Sequence, residues 1–264
     1  MRRLLLTASM LAAFVATPAF AEDFTRAQID EFIKEYIQKN PKALIDSVEA
    51  YGKQQQDAEG AKAAEQIVKN MDWLTKNPKH AEAGNPKGDV TIVEFFDYNC
   101  GYCKQAVPDL MKLLDQDKNV RVVFVEIPIL GASSEEAARW ALASIKQEKY
   151  LPFHIALMNH KGPLEEGSIL GYAKNAGLDI DKLKKDKLDA GIEQTMAENL
   201  NMARTLGIQG TPAFVVGTEL IRGYVGFDGL VEAVATVRNS RNTAPASGVD
   251  ASGLPVPSVA DRPQ

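Results

Sequence analysis

An α/β fold with an N-terminal helical extension and an inserted helical subdomain is what this 264-residue sequence predicts, on three observations. An apolar run, Val90 to Phe96, reads as a buried strand and leads into a helical run, Lys104 to Leu114. A second apolar run, Val120 to Ile127, follows at the spacing of a parallel strand–helix–strand unit with a right-handed crossover. The chain's two cysteines, Cys100 and Cys103, stand at the strand-to-helix junction as Cys-Gly-Tyr-Cys.

Taken from the N-terminus, Arg2-Arg3, the apolar stretch Leu4 to Val15 and the small-residue site Ala19-Phe20-Ala21 predict a secretory signal peptide over residues 1–21. The expected mature protein is exported, most readily to a bacterial periplasm. Residues 22–78 form a polar, helix-rich segment. Thr25 with Gln28 makes a capping box, and Ile29, Phe32, Ile33, Tyr36 and Ile37 recur at helical spacing. Asn40-Pro41 ends that helix and starts another that carries Leu44, Ile45, Val48 and Tyr51. Ile67, Val68, Met71 and Leu74 resume the apolar stripe. Stripes this thin need covering, by the main domain or by another copy of the chain, and a homo-oligomer through these helices is expected.

The turn formers from Asn77-Pro78 to Asn85-Pro86-Lys87-Gly88 read as a domain boundary. The redox domain is expected over 85–240: a strand at 89–98, a helix from about Cys100 to Leu114, then the strand at Val120. A helical insertion, roughly 133–206, follows, opened by a Ser133–Glu136 capping box. Strands at Ala213–Val216 and Glu219–Arg222 flank a Gly217-Thr218 turn suited to a tight hairpin. An amphipathic helix, Phe227 to Val237, closes the domain. Residues 242–264, rich in Pro, Ser, Ala and Gly, read as a disordered tail.

Composition excludes more than it selects. The formal charge is −5 at pH 7, and loss of Arg2 and Arg3 makes it more negative. Without a basic block there is no case for nucleic-acid or anionic-membrane binding. A dithiol two residues apart closes too small a loop to act chiefly as a structural staple. A structural zinc site needs four ligands, and His80, His154 and His160 lie far from the pair in sequence. No metal site and no cofactor are expected.

The helix N-terminus behind Cys100 favours its thiolate, the species that attacks disulfides. Glu94 shares a strand face with Ile92 and Phe96. Buried beneath the dithiol, its carboxyl would have a raised pKa and could take a proton from Cys103. Thr211-Pro212 directly precedes the Ala213 strand, where a proline need not donate to the ladder and a cis bond is expected.

Residues 89–240 resemble the thioredoxin superfamily, and specifically the exported Dsb-type proteins with a helical insertion. The strongest match is Glu-Phe-Phe-Asp-Tyr-Asn-Cys-Gly-Tyr-Cys-Lys at 94–104, and the second is Gly-Thr-Pro-Ala-Phe at 210–214. The segment Gly-Asn-Pro-Lys-Gly-Asp at 84–89 is similar to DsbA-like proteins of the ScsC and Com1 kind. The resemblance implies a thioredoxin-like fold in which Cys100 is the exposed nucleophile, Cys103 the buried resolving thiol and Glu94 the buried acid. It also implies that Thr211 and Pro212 align an incoming polypeptide, with Tyr102 beside them as a substrate-binding residue. Gly101-Tyr102 and Thr211 depart from the Pro-His and Val of the oxidase DsbA and are similar to the isomerase DsbC. The expected function is therefore thiol–disulfide exchange on unfolded or misoxidised exported proteins, leaning to isomerase or reductase. A DsbD- or DsbB-like membrane redox partner is implied. A DsbA-like oxidase, and a copper-handling or holdase protein that uses the dithiol, stay open as alternatives.

Overall fold

The computed structural model describes residues 24–162 and 164–243. The expected signal peptide, and the expected tail beyond Thr243, lie outside the described residues. The chain divides into two units, Met1–Gln55 and Gln56–Gln264.

In the first unit, α1 (Arg26–Lys39) starts on the expected capping box, with Thr25 and Gln28 bonded reciprocally. Asn40 stops it, its main-chain N–H and its side-chain amide both donating to the Tyr36 carbonyl. Pro41, whose missing N–H costs nothing at a first helical position, begins α2 (Pro41–Lys69), which continues into the second unit. Ile29, Phe32, Ile33 and Tyr36 on α1, and Leu44, Ile45, Val48 and Tyr51 on α2, are all exposed.

The second unit is built on a five-stranded sheet of order β1-β3-β2-β4-β5. Its strands are β1 (Ala81–Gly84), β2 (Val90–Phe96), β3 (Val120–Glu126), β4 (Ala213–Val216) and β5 (Glu219–Arg222). Only β2 and β3 run parallel, joined by α4 (Gly101–Gln116). β4 and β5 form the expected hairpin, with Gly217 at φ +62° in the two-residue turn. A Cβ there would come within 2.8 Å of Val237, so glycine is required twice over.

Helices cover both faces. The first core gathers Ile92, Phe96, Val122, Phe124, Phe214 and Val216 from the sheet. Against them pack α4, the insertion helices and the closing helix α10 (Gly226–Thr243). The insertion comprises α5 (Ala132–Ser144), α6 (Tyr150–Met158), α7 (Glu166–Asn175), α8 (Ile180–Asp186) and α9 (Ala190–Thr205). The opposite face buries Val93, Phe95, Val123, Val125 and Val215 beneath Ile67 of α2, Leu74 of α3 (Met71–Lys76) and Leu206.

Three expectations change. The turn-rich boundary at 77–88 contains a strand, β1, paired antiparallel to β3 with Ala81 opposite Phe124. Of the apolar stripe from Ile67 to Leu74, Ile67 and Leu74 are buried in cis against the sheet and Met71 packs beside them, while Val68 stays exposed. The Ser133–Glu136 capping box does not form: Gly131 is the N-cap of α5, at φ +111°, and Ser133 lies inside the first turn. Glu136 instead accepts from Trp140 Nε1 at 2.8 Å and Lys187 Nζ at 2.6 Å.

Candidate active site

Alternation along β2 buries Glu94 and Phe96 on the first-core face and delivers the chain into Asp97-Tyr98-Asn99. Cys100 then takes the N-cap position of α4 with extended backbone, φ −75° and ψ 116°. Its sulfur does what a capping oxygen does elsewhere, accepting the Cys103 main-chain N–H at 3.3 Å. On its other side Cys100 Sγ donates to the Thr211 carbonyl at 3.2 Å. The Thr211–Pro212 peptide is cis. Both cysteines are free thiols.

Cys100 was expected to be exposed, and it is not: only 6% of its surface is accessible, against none for Cys103. The Thr211 main chain stands over the sulfur. The order of access, Cys100 before Cys103, is as expected.

The electrostatics separate the two sulfurs. The Cys100 pKa falls to about 6, chiefly through the hydrogen bond with the Cys103 side chain. Partial burial opposes that fall, while the Thr211 side chain and the amides of Cys103 and Tyr102 add to it. Cys103 is driven far up by burial, by its hydrogen bond to Cys100 and by the charge of Glu94. Near neutrality one sulfur is an anion and the other a thiol.

Glu94 is fully buried, neither carboxyl oxygen has a hydrogen-bond partner, and its pKa rises to about 8. Burial is the main cause and the Cys100 charge the second. When Cys100 enters a mixed disulfide its charge disappears, and the Glu94 pKa falls.

Pro212 and Thr211 line a recess of about 290 Å3 together with Gln209, Gly210 and Arg222. Tyr102 places its amide near Cys100, but its ring turns outward, 62% exposed and stacked on Tyr224 with centroids 6.3 Å apart.

Several residues that hold the site were not singled out in the sequence. Asp97, buried, accepts from Asn99 N at 2.6 Å, Ser134 Oγ at 2.7 Å, Ile129 N at 2.8 Å and Leu130 N at 2.9 Å. It ties the cysteine loop to the loop before α5. Beneath it, Glu126 accepts from Tyr150 at 2.9 Å and Tyr98 at 3.5 Å, while Tyr98 Oη pairs with His154 Nδ1 at 3.0 Å. Burial holds Glu126 well above the usual carboxylate range and lowers the His154 pKa to about 3. Glu126 shows the signal that exposed Glu94, an acid within an apolar run. Among the described residues no group of three or more His, Cys, Asp or Glu side chains is placed to hold a metal.

A dithiol capping the helix of a parallel βαβ unit, faced by a cis Thr–Pro bond before an antiparallel hairpin, defines a thioredoxin-fold thiol–disulfide protein. Residues 91–235 match the DSBA-like thioredoxin domain, and the chain belongs to that family of thiol–disulfide oxidoreductases. It is similar to a thioredoxin-like oxidoreductase from Silicibacter pomeroyi DSS-3, at 44% identity and TM-score 0.62 over 64% of this chain and 97% of that one. It is also similar to Proteus mirabilis ScsC in a transitional conformation, at 30% identity and TM-score 0.61 over 81% of this chain and 96% of that one. A Na(+)/H(+) antiporter NhaA 1 of Salinispora arenicola shares 31% identity over 58% of this chain, but only 24% of the antiporter is matched. The chain spans about a quarter of the length of the first curated relatives it matches.

Proposed function

We propose that the protein exchanges disulfides of polypeptides exported to the periplasm, leaning to isomerisation and reduction. One observation carries the reading: the Cys100 sulfur sits between the Cys103 amide and the carbonyl of Thr211, whose bond to Pro212 is cis, at 3.3 Å and 3.2 Å. The Cys100 thiolate attacks a substrate disulfide, forms a mixed disulfide and releases one substrate thiolate. Attack by another substrate thiolate returns Cys100 unchanged, which is isomerisation. Attack by Cys103 instead, with its proton passing to Glu94, releases the second substrate thiolate and leaves a Cys100–Cys103 disulfide. A membrane redox partner of the DsbD kind then supplies two electrons and two protons to restore the dithiol, whereas a DsbB-like partner would serve the oxidase direction by removing two electrons from the dithiol.

The isomerase leaning is supported by Gly101-Tyr102, which puts no imidazole beside the thiolate, and by a Cys100 pKa lowered only to about 6. Export is supported by the signal-like residues 1–21. Self-association is supported by the apolar side chains exposed on α1 and the first half of α2. The test is reactivation of scrambled ribonuclease by the reduced mature protein. Recovery that is lost in Cys100→Ser is the expected result. Rapid oxidation of a reduced peptide without any such recovery would assign the protein to oxidation. Light scattering on the same sample, expected to give more than one chain per particle, tests the helices.

A further inference from the structure

A cleft of about 620 Å3 opens beside the dithiol, on the insertion side. Both sequence neighbours of Cys100, Asn99 and Gly101, line it, with Lys104, Ser133, His160 and Lys161. Among the described residues no acidic side chain lines it, although the whole chain is acidic at −5. Lys104 is the informative member. It is partly buried, and its Nζ donates to the His160 carbonyl at 2.6 Å, one bond for a group with three donors. No carboxylate lies within ion-pair distance of it among the described residues. The charges acting on it are Asp97, whose oxygens are occupied by the four bonds given above, and the Cys100 thiolate. A partly desolvated ammonium short of acceptors is costly, and an incoming anion removes that cost.

We propose that this cleft recognises an acidic side chain of the substrate polypeptide, within about two residues of the cysteine under attack, as the reach of an extended chain allows. The inference rests on the thiol–disulfide exchange reading and names the substrate chemistry of that site. Its charge balance gives it a direction. Mixed-disulfide formation converts the Cys100 thiolate into a neutral disulfide sulfur, so the Lys104–Lys161 cleft gains one unit of positive charge. A substrate carboxylate is therefore held more tightly in the mixed disulfide than in the encounter, and Cys103 attack then breaks the covalent link to the substrate while Cys100 stays uncharged.

The Cys103→Ser protein, which traps the mixed disulfide, tests this. It is incubated at low salt with an equimolar mixture of two homodimeric peptide disulfides that differ only in Glu or Gln beside the cysteine, and the adducts are counted by mass spectrometry. The same competition against a simple alkyl thiol sets the intrinsic preference. An excess of the Glu adduct of about fivefold over that control is expected, falling with added salt. It should shrink towards the control in Lys161→Gln and persist in Lys161→Arg. Equal adducts in the Cys103→Ser protein overturn the cleft assignment and leave exchange intact. An excess untouched by Lys104→Gln and Lys161→Gln together, in a variant of unchanged circular dichroism, also overturns it. No adduct with either peptide overturns the exchange reading itself.

Discussion

Replacing Glu94 by leucine should make the reduced protein more stable and less able to resolve its mixed disulfides. The folded-state pKa of about 8 stands above the ordinary glutamate value of 4.5. The group's contribution is therefore fully present below the unfolded pKa and is lost as pH rises through the folded one. At pH 7 the unfolded chain has released this proton and the folded one mostly has not. By linkage this is a penalty of about 3 kcal/mol, against about 1 kcal/mol at pH 5. Leucine removes the penalty, so the stability gain over wild type should grow by roughly 2–3 kcal/mol between those pH values. Urea unfolding of both reduced proteins, followed by the fluorescence of buried Trp140, measures it. In parallel, Cys103 attack on a Cys100 mixed disulfide should slow by about 100-fold or more without its proton acceptor. A stability difference that does not change with pH would refute the reasoning, since the carboxyl would then titrate alike in both states.

Thr211→Val removes the hydroxyl that lowers the Cys100 pKa, and ultraviolet titration of the thiolate should find that pKa raised by about one unit. Asp97→Ala strips acceptors from three main-chain N–H groups and the Ser134 hydroxyl, which should cost about 3–5 kcal/mol in denaturant unfolding. Leu74→Ala opens a cavity between α3 and the sheet and should cost about 2–5 kcal/mol by the same measurement, because this helix is part of the redox domain's second core.

What the sequence reveals follows the range of the interaction involved. The β4–β5 hairpin, the capping box at Thr25 and the strand–dithiol–helix junction depend on neighbours in sequence, and their patterns are readable. Glu94 is readable because an acid within Val-Thr-Ile-Val-Glu-Phe-Phe has few places to go but inward. β1 is not readable: Ala-Glu-Ala-Gly has little strand propensity and sits between turn formers, and only its partner on β3 makes it a strand. The burial of Cys100 depends on Thr211, 111 residues away, and the role of Asp97 on amides 32 and 33 residues further on. Ser133 looks like a cap, yet the turn at Gly131 starts the helix one residue ahead of it.

Two buried carboxyls on one sheet face pose the remaining question of which one serves the dithiol. Glu94 lies opposite Phe124 and Glu126 opposite Phe96 in the parallel β2–β3 pairing, so both point to the first core. Both are held above the ordinary carboxylate range by burial. Their partners differ. Glu126 accepts hydrogen bonds from Tyr150 and Tyr98, and the charge that bears on it is Asp97, not a cysteine. Glu94 accepts none, and the charge that bears on it is Cys100. Only Glu94 can therefore change its protonation in step with the sulfur chemistry. Glu94→Gln should flatten the pH dependence of mixed-disulfide resolution between about pH 6 and 9, whereas Glu126→Gln should keep the wild-type profile. If Glu126→Gln flattened it equally, the two carboxyls would be sharing one proton, and the assignment of Glu94 alone would be wrong.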